Sequence, residues 1–282
     1  YGIDVLKANR DMFKKKFDKP SVSKLRSINE NISLDIVVIS VPTKSHLKVV
    51  KEIVSIYSPK LLLVEKPLAF SFEEAKEIVQ IGKDNNIPIA VNYIRDFEPS
   101  HRELVQKVKC GELGFPLKII CWYSKGIKNN GSHFFQLISK FLGDTKNINV
   151  IDKGIKLGNY DFEPTLEIEY ENGKCYFIPV DEENFSLFEM ELVGPKGKIK
   201  YYNGGSHYDL WHIRDDPIFK NYTKLSSRPI TIKMDIKKYQ YHIYNNIADY
   251  LKGETNLYCK GKAALKTAHI LNQIEREILN EK

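Results

Sequence analysis

One lysine, Lys66, stands where a buried strand leaves a predicted sheet. The run Leu61–Val64 has four consecutive large aliphatic residues, which is typical of a strand covered on both faces. Pro67 cannot continue the ladder and biases Lys66 toward an extended conformation, so the lysine lies at the carboxyl end of that strand. Ligands bind at this edge in open α/β sheets, and Lys66 is therefore a candidate for chemistry. The alternative is a solvated lysine at a strand end.

The composition is that of an ordinary globular protein long enough for two domains. The 282 residues are 42% hydrophobic and 28% charged. No apolar run approaches the roughly 18–20 residues needed to cross a bilayer, and no signal peptide is visible, so we expect no membrane partner. The four cysteines are far apart and form no CxxC pair. They predict reduced thiols in a cytoplasmic protein rather than a disulfide framework or a zinc site.

The net charge of +7 is spread along the chain. The densest cluster, Lys14–Lys16, is typical of a solvated face. No recognition motif accompanies it, so we expect no nucleic-acid partner. The positive balance suits an anionic small-molecule substrate. His207, Trp211 and His212 share no metal-ligand spacing, and we expect no metal site.

The first third of the chain alternates predicted strands and helices. Apolar patterns predict strands over 1–8, 35–41, 61–64 and 87–92, and helices over 45–54 and 72–82. Ser71 and Glu74 resemble a capping box that opens the second of these helices. Strand–helix–strand alternation at this spacing indicates a parallel sheet with right-handed crossovers.

The rhythm changes after about residue 95. Helices are predicted over 99–110, 132–142, 238–252 and 261–280, and strands over 117–123, 148–153, 165–170, 174–180, 186–193 and 197–202. Residues 203–235 have weak periodicity and are predicted to form a long excursion over the sheet. The fold class is α/β, with a Rossmann-type parallel domain over 1–95 and an α+β domain with a mostly antiparallel sheet over 96–282.

Several short motifs, in order, resemble the glucose–fructose oxidoreductase/inositol dehydrogenase (Gfo/Idh/MocA) family. They are Val41-Pro42-Thr43 with His46, Glu65-Lys66-Pro67-Leu68-Ala69, Asn92-Tyr93-Ile94-Arg95 with Pro99, Gly111-Glu112-Leu113-Gly114, and Gly131-Ser132-His133 opening a helix that ends at Leu142-Gly143. The resemblance implies a Rossmann domain followed by a substrate domain, with NAD or NADP for hydride transfer to or from sugars, inositols and related compounds. It also implies a homo-oligomer assembled through the sheet of the second domain.

Two departures from the family pattern stand out. The opening strand–GxGxxG–helix is absent, and residue 1 corresponds to the family's second strand. Because that glycine turn cradles the pyrophosphate, either the chain is an N-terminal truncation or the protein has lost its main hold on the cofactor. The family's Asp-x-x-x-His pattern has Asn129 in place of the Asp before His133, and Gln136 replaces a later acidic residue. An amide orients an imidazole but does not stabilise its charged form.

Alcohol oxidation requires a hydride acceptor, a base for the hydroxyl proton and a cation near the developing oxyanion. The resemblance assigns Lys66 as the cation or proton donor. His133 is the candidate general acid/base, because imidazole is the side chain that commonly gains and loses a proton near neutral pH. A histidine at a helix start is alternatively a cap or a polar surface group.

Further candidates surround these two residues. The predicted substrate contacts are Tyr93, Arg95, Tyr123, Lys125, Asn129 and Asn130. The predicted cofactor contacts are Asn9, Arg10, Pro42, Thr43, His46, Glu65, Lys66 and Asn92. Arg95 alternatively holds the interdomain joint, and Tyr123 alternatively packs in the sheet. Arg10 stands where an acidic residue would bind the 2′-hydroxyl of NAD, which favours NADP, although Asp11 is adjacent.

The sequence therefore predicts an NAD(P)-dependent oxidoreductase acting on a sugar, nucleotide-sugar or polyol hydroxyl. The alternative is a non-catalytic regulatory or scaffold member of the same fold, supported by the missing glycine turn and by Asn129 and Gln136.

Overall fold

The computed structural model describes residues 1–279 and divides the chain into two compact units. The first unit is Tyr1–Val91, and the second begins at Asn92. The assignment of the first as a dinucleotide-binding domain and of the second as a substrate domain stays a prediction.

The helices and strands are numbered in the order in which they occur along the chain. The α-helices are α1 Lys7–Phe17, α2 His46–Ile56, α3 Phe72–Asp84, α4 Pro99–Lys109, α5 Ser132–Leu142, α6 Tyr239–Leu251 and α7 Gly261–Leu279. The strands are β1 Gly2–Ile3, β2 Ser21–Val22, β3 Ile36–Ile39, β4 Leu61–Val64, β5 Ile89–Val91, β6 Leu117–Tyr123, β7 Thr145–Asp152, β8 Lys156–Leu157, β9 Asp161–Phe162, β10 Thr165–Tyr170, β11 Gly173–Pro179, β12 Phe188–Gly194, β13 Gly197–Tyr202, β14 His207–Asp215, β15 Thr223–Leu225 and β16 Ile230–Lys233. A π-helix, Gly126–Gly131, precedes α5.

The first unit contains two parallel sheets. β1 pairs with β2, and β3, β4 and β5 form a second sheet in that order. In a doubly wound sheet with strand order 3-2-1-4-5-6, these two sheets correspond to the strands on either side of position 1. Within residues 1–279, no strand pairs with the outer edge of β3, where Val38 is 43% exposed.

Apolar burial explains the elements of the β3–β5 sheet. All four residues of β4 are buried, as the continuous apolar run predicted. α2 buries Val50 and Ile53, while α3 buries Ala75 and Ile78. One half of the predicted capping box is present, because the Glu74 amide donates to Ser71 Oγ at 3.2 Å. The Glu74 carboxylate accepts instead from the Phe70 amide, at 3.2 Å.

The predicted strand over residues 1–8 is wrong beyond Ile3. The chain instead turns at Asp4 and enters α1 at Lys7, which places Asn9 and Arg10 on a helix. α1 buries no residue, so it presents no apolar stripe to reveal its period. The cofactor contacts assigned to Asn9 and Arg10 rested on a strand end that lies elsewhere.

The second unit is built on a nine-stranded mixed sheet. Its order is β15-β14-β13-β12-β6-β11-β10-β7, with β16 pairing β14. β6 and β11 are parallel and the other neighbours are antiparallel. One face packs on α5 and α7 through an apolar core that includes Phe134, Ile138 and Ile274. The two-part α/β fold class predicted from the sequence is confirmed.

The predicted excursion over residues 203–235 is also wrong. These residues form β14, β15 and β16, which extend the sheet. α5 has the bounds that its apolar period and Gly143 predicted. The predicted last helix is α7, and residue 280 of that prediction lies outside the described residues. Among residues 1–279, no helix has both the length and the apolar character needed to cross a membrane.

Candidate functional site

In the first unit, the carboxyl ends of β3 and β4 lie side by side. Ile39 is the register partner of Val64, and the Glu65 amide donates to the Ile39 carbonyl at 3.0 Å. Pro42 and Thr43 follow β3, and the half-buried Lys66 follows β4. Adjacent parallel strands therefore bring the predicted Pro42, Thr43, Glu65 and Lys66 to one sheet edge, where α/β proteins bind ligands.

His46 lies beneath this edge rather than at its surface. The ring is 1% exposed, with Nε2 3.0 Å from the Val41 carbonyl oxygen and Nδ1 3.1 Å from that of Leu68. Both ring nitrogens are occupied by backbone groups of the chain itself. The cofactor contact predicted for His46 stays a prediction, and in this geometry its ring nitrogens face the chain's own backbone.

Asp4 is the acidic residue at the end of β1. Its carboxylate accepts hydrogen bonds from the Leu6 amide at 2.8 Å and from Asn9 Nδ2 at 2.9 Å. The bond from Asn9, and to a lesser extent the bond from Leu6, hold the pKa of Asp4 below its usual value. Arg10 donates to the backbone carbonyls of Asp4 and Val5 at 2.8 and 2.9 Å. Asn9 and Arg10 thus support the Asp4 turn.

In the second unit, His133 lies in the first turn of α5 among aromatic rings. It is 7% exposed and meets Tyr93 edge-on, with ring centroids 5.4 Å apart, and Phe188 at 6.2 Å. Burial raises the pKa of Tyr93 above its usual value. Tyr93 and His133, which the sequence placed in one site, are in contact here.

The π-helix before α5 is held by two buried carboxylates. Asp161 accepts from the amides of Lys128 and Asn129 at 2.9 and 3.1 Å, and Glu163 accepts from the amide of Gly126 at 3.0 Å. A Cβ on Gly126 would meet Asp161 Oδ2 at 2.1 Å, so only glycine fits. Burial raises the pKa of Asp161.

The two predicted asparagines lie on this anchored turn. Asn129 is exposed, and its carbonyl accepts from Ser132 Oγ at 2.9 Å. Asn130 Nδ2 donates to the Ser124 carbonyl at 2.9 Å. Asp161 and Glu163 therefore fix the backbone that carries both asparagines and leads into His133.

Gln136 belongs to a buried polar network. Its Nε2 donates to Asp96 Oδ2 at 2.8 Å, and its Oε1 accepts from Thr267 Oγ1 at 2.8 Å. Lys140 Nζ lies 2.6 Å from Asp96 Oδ1. An amide satisfies both partners, since it donates to a carboxylate and accepts from a hydroxyl. An ionised carboxylate at position 136 could not donate to Asp96.

Three predicted substrate contacts have partners within the second unit. Arg95 donates from Nη2 to the Gly204 carbonyl at 2.8 Å, and its Cζ lies 4.1 Å from the centre of the Phe188 ring. Tyr123 is fully buried, and its hydroxyl donates to the Pro164 carbonyl at 2.6 Å. This placement favours the packing role that the sequence left open for Tyr123. Lys125 Nζ lies 2.9 Å from Glu182 Oε1.

Three functional candidates escaped the sequence analysis. Asp4 was missed because the predicted strand over 1–8 ran past it. Asp161 and Glu163 had no signal, because their contacts join distant segments of the chain. Within residues 1–279, no group of three or more His, Cys, Asp or Glu side chains is arranged to hold a metal ion.

A parallel βα unit joined in sequence to a large mixed sheet defines a Rossmann-type two-part protein. The family model for oxidoreductases with an NAD-binding Rossmann fold matches residues 3–93. Over these residues the chain is similar to the Gfo/Idh/MocA family, and the resemblance predicted from the motifs is confirmed.

Two curated relatives come from Bacillus subtilis. The chain is 31% identical over 88 residues to scyllo-inositol 2-dehydrogenase (NAD(+)), covering 31% of this chain and 25% of that protein. It is 23% identical over 197 residues to the uncharacterized oxidoreductase YrbE, covering 62% of this chain and 57% of that protein. The matches therefore span from a quarter to just over half of the length of these relatives.

Solved structures share the fold along the whole chain. A putative NADPH-dependent oxidoreductase from Desulfitobacterium hafniense has a TM-score of 0.80 at 15% identity, covering 100% of this chain and 89% of that one. The WlbA dehydrogenase from Bordetella pertussis, in complex with NADH and UDP-GlcNAcA, has a TM-score of 0.77 at 14% identity, covering 99% and 87%. Aldose–aldose oxidoreductase from Caulobacter crescentus has a TM-score of 0.80 at 13% identity, covering 99% and 89%. At these identities, the likeness concerns the fold.

Proposed function

We propose that this chain is an NAD-dependent oxidoreductase that transfers a hydride to or from a hydroxyl-bearing carbon of a sugar, nucleotide sugar or polyol. The observation that carries the proposal is the position of Lys66 at the carboxyl edge of a parallel sheet, inside the segment that matches an NAD-binding family. The relatives named for inositol, aldose and UDP-GlcNAcA support a substrate with several hydroxyl groups.

The proposed roles follow from the chemistry of the side chains. The nicotinamide, when bound, accepts or supplies the hydride. We assign Lys66 to stabilise negative charge developing on the substrate oxygen, or to donate a proton to it. We assign His133 to move the hydroxyl proton, since its aromatic surroundings keep water from the imidazole.

The geometry of Asp4 supports NAD over NADP, contrary to the preference that Arg10 suggested. A carboxylate at the end of this strand can accept a hydrogen bond from the ribose 2′-hydroxyl and repels a 2′-phosphate. Arg10 is directed to backbone carbonyls. Asp4→Asn should therefore weaken NADH binding by about tenfold while improving the ratio of NADPH to NADH affinity. Fluorescence titration measures both affinities.

Asp11→Asn is the matched control for Asp4, because it removes the neighbouring carboxylate that follows α1's first turn. It should leave both affinities unchanged. Equal losses in the two variants would contradict the assignment of Asp4 and leave the general proposal intact.

The decisive experiment for the function is a binding and turnover assay of the full chain. NADH binding should appear as a change in nicotinamide fluorescence, and a panel of sugars, sugar acids, nucleotide sugars and inositols should yield NADH at 340 nm. Absence of NAD and NADP binding at millimolar concentration would overturn the enzyme proposal.

A non-catalytic member of the family is the second candidate. Its support is the use of Gln136 in a buried network, at a position where the resemblance to the family implies an acidic residue. This candidate predicts that no substrate in the panel is turned over, even where NADH binds.

We further propose a second copy of this chain as partner, through the sheet face opposite α5. That face carries carboxylates and ammonium groups in neighbouring rows, such as Glu191 with Lys198 at 2.7 Å and Glu167 with Lys174 at 3.0 Å. A surface with both signs in rows can pair with itself about a two-fold axis. Sedimentation velocity should give the mass of a dimer or tetramer, and a monomer at all concentrations would contradict the proposal.

A further inference from the structure

We infer that His46 is a positioning residue that fixes the loops after β3 and β4 to each other. Its imidazole is the buried bridge between Val41 and Leu68, with nitrogen–oxygen distances of 3.0 and 3.1 Å. The fixing of the loops follows from the geometry alone. Its consequence for catalysis rests on the proposed function.

The shape of the imidazole suits this bridge. The ring is rigid, and its two nitrogens point in divergent directions, so that one side chain reaches two separate backbone groups. The ring is 1% exposed, and Leu68 is also 1% exposed. Both groups that face the ring are carbonyl acceptors, so a neutral imidazole donates to one of them and only a doubly protonated ring donates to both. Removal of the ring nitrogens would take this donor away from the buried Leu68 carbonyl and the partly buried Val41 carbonyl.

The bridge lies next to the residues proposed for chemistry. Val41 directly precedes Pro42 and Thr43, and Leu68 follows Lys66 by two residues. A single ring thus sets the distance between the loop predicted to meet ribose and nicotinamide and the loop that carries Lys66. Small displacements of a reacting group reduce rates strongly, so this bridge should matter for turnover.

His46→Phe in the full chain tests the inference, because phenylalanine keeps a ring of similar shape and removes both nitrogens. Hydrogen exchange followed by mass spectrometry should show amide exchange at least about tenfold faster in peptides covering 41–45 and 65–70. Exchange in β6 and α5 should not change. Unchanged exchange in both loops of the folded variant would overturn the inference.

His212→Phe is the matched control. His212 is a histidine of the second unit whose Nε2 lies 2.7 Å from Glu112 Oε1. Its replacement should leave the exchange of both loops as in the wild type. Acceleration of these loops in both variants would point to general destabilisation and would overturn the specific role of His46.

If His46→Phe does not fold, an experiment on the wild-type protein tests the inference instead. Nuclear magnetic resonance of ¹⁵N-labelled protein should show a ring N–H of His46 that exchanges with solvent far more slowly than that of His212. Equal exchange rates would overturn the inference.

Kinetics separate this role from that of Lys66. His46→Phe should raise the KM for NAD and lower kcat together by about tenfold each, whereas Lys66→Ala should act mainly on kcat. An unchanged KM and kcat in the folded variant would overturn the catalytic consequence. Failure of the wild type to bind NAD would instead remove the proposed function, and the exchange experiment on the loops would stand.

Discussion

The sheet edge of the first unit and the start of α5 in the second unit hold their polar residues in different ways. At the edge, a single buried ring binds backbone carbonyls, so the identities of Pro42, Thr43 and Lys66 are not needed for that contact. At α5, side chains bind side chains, and Gln136 joins Asp96 to Thr267. The His46 contact at the edge therefore depends on backbone groups, whereas the network around Gln136 depends on the identity of each side chain in it.

The largest expected effect is on turnover and comes from the edge. Lys66→Ala should lower kcat by about 10³-fold, because it removes the cation that we propose to lie next to the developing oxyanion, and it should change the free energy of unfolding less than Asp96→Ala does. Steady-state hydride transfer and urea unfolding measure the two quantities. Lys51→Ala is the control, since Lys51 is a surface lysine paired with Glu77. Turnover equal to that of the control would contradict the role of Lys66.

The second largest expected effect is on the free energy of unfolding and comes from the buried network around Gln136. Asp96→Ala should lower the free energy of unfolding by about 3 kcal/mol, because Lys140 and the side-chain nitrogen of Gln136 both lose the buried carboxylate that they contact. Urea unfolding measures the loss. Asp144→Ala removes an exposed carboxylate paired with Lys266 and should cost less than about 1 kcal/mol. Similar losses in the two variants would show that the buried network is no more important for stability than an exposed ion pair.

The pH dependence of stability in a Gln136 variant tests the same buried network. Gln136→Glu would place a second carboxylate against Asp96, which raises the pKa of the introduced group above its unfolded value of about 4.3. The loss of folding free energy caused by the introduced carboxyl is therefore absent below its unfolded pKa. This loss grows as the pH rises through the folded pKa and is complete above it. We expect a loss of about 2 kcal/mol at pH 7 relative to the wild type, and a smaller loss at pH 5. Equal losses at both pH values would show that charge is not the cause.

The smallest effect is expected on the open sheet face. Glu191→Gln should change the free energy of unfolding by less than about 1 kcal/mol at low protein concentration, because its pair with Lys198 is partly exposed. A larger loss that appears only at high concentration would support a second copy on this face. A large loss at every concentration would place this pair with the buried network instead.

Apolar periodicity predicted the elements whose burial depends on it. The buried run of β4 and the helical period of α5, which Gly143 ends, were readable because the core sets the residue types there. α1 was missed because it buries no residue, and its charged side chains have no period to reveal. β14 alternates only as far as Leu210 before its residues become exposed, so its length was not visible.

The candidate site was predictable where residue type and chain position suffice. Lys66 is an example, since a strand end is a local feature. The bridge made by His46 was not predictable, because Leu68 lies in a different loop of the chain. The anchoring of the π-helix by Asp161 and Glu163 was hidden for the same reason. Side-chain partners distant in sequence leave no local pattern.

The position of β6 in the sheet also bears on how the chain folds during synthesis. β6 ends at Tyr123, but its sheet neighbours are β11 and β12, so it remains unpaired until residues 173–194 have been made. The strands of the β3–β5 sheet follow one another in the chain, so this sheet has all its strands once residue 91 has been made. We therefore expect the first unit to fold early on the ribosome, with the alternating apolar face of β6 exposed meanwhile to chaperones and to aggregation.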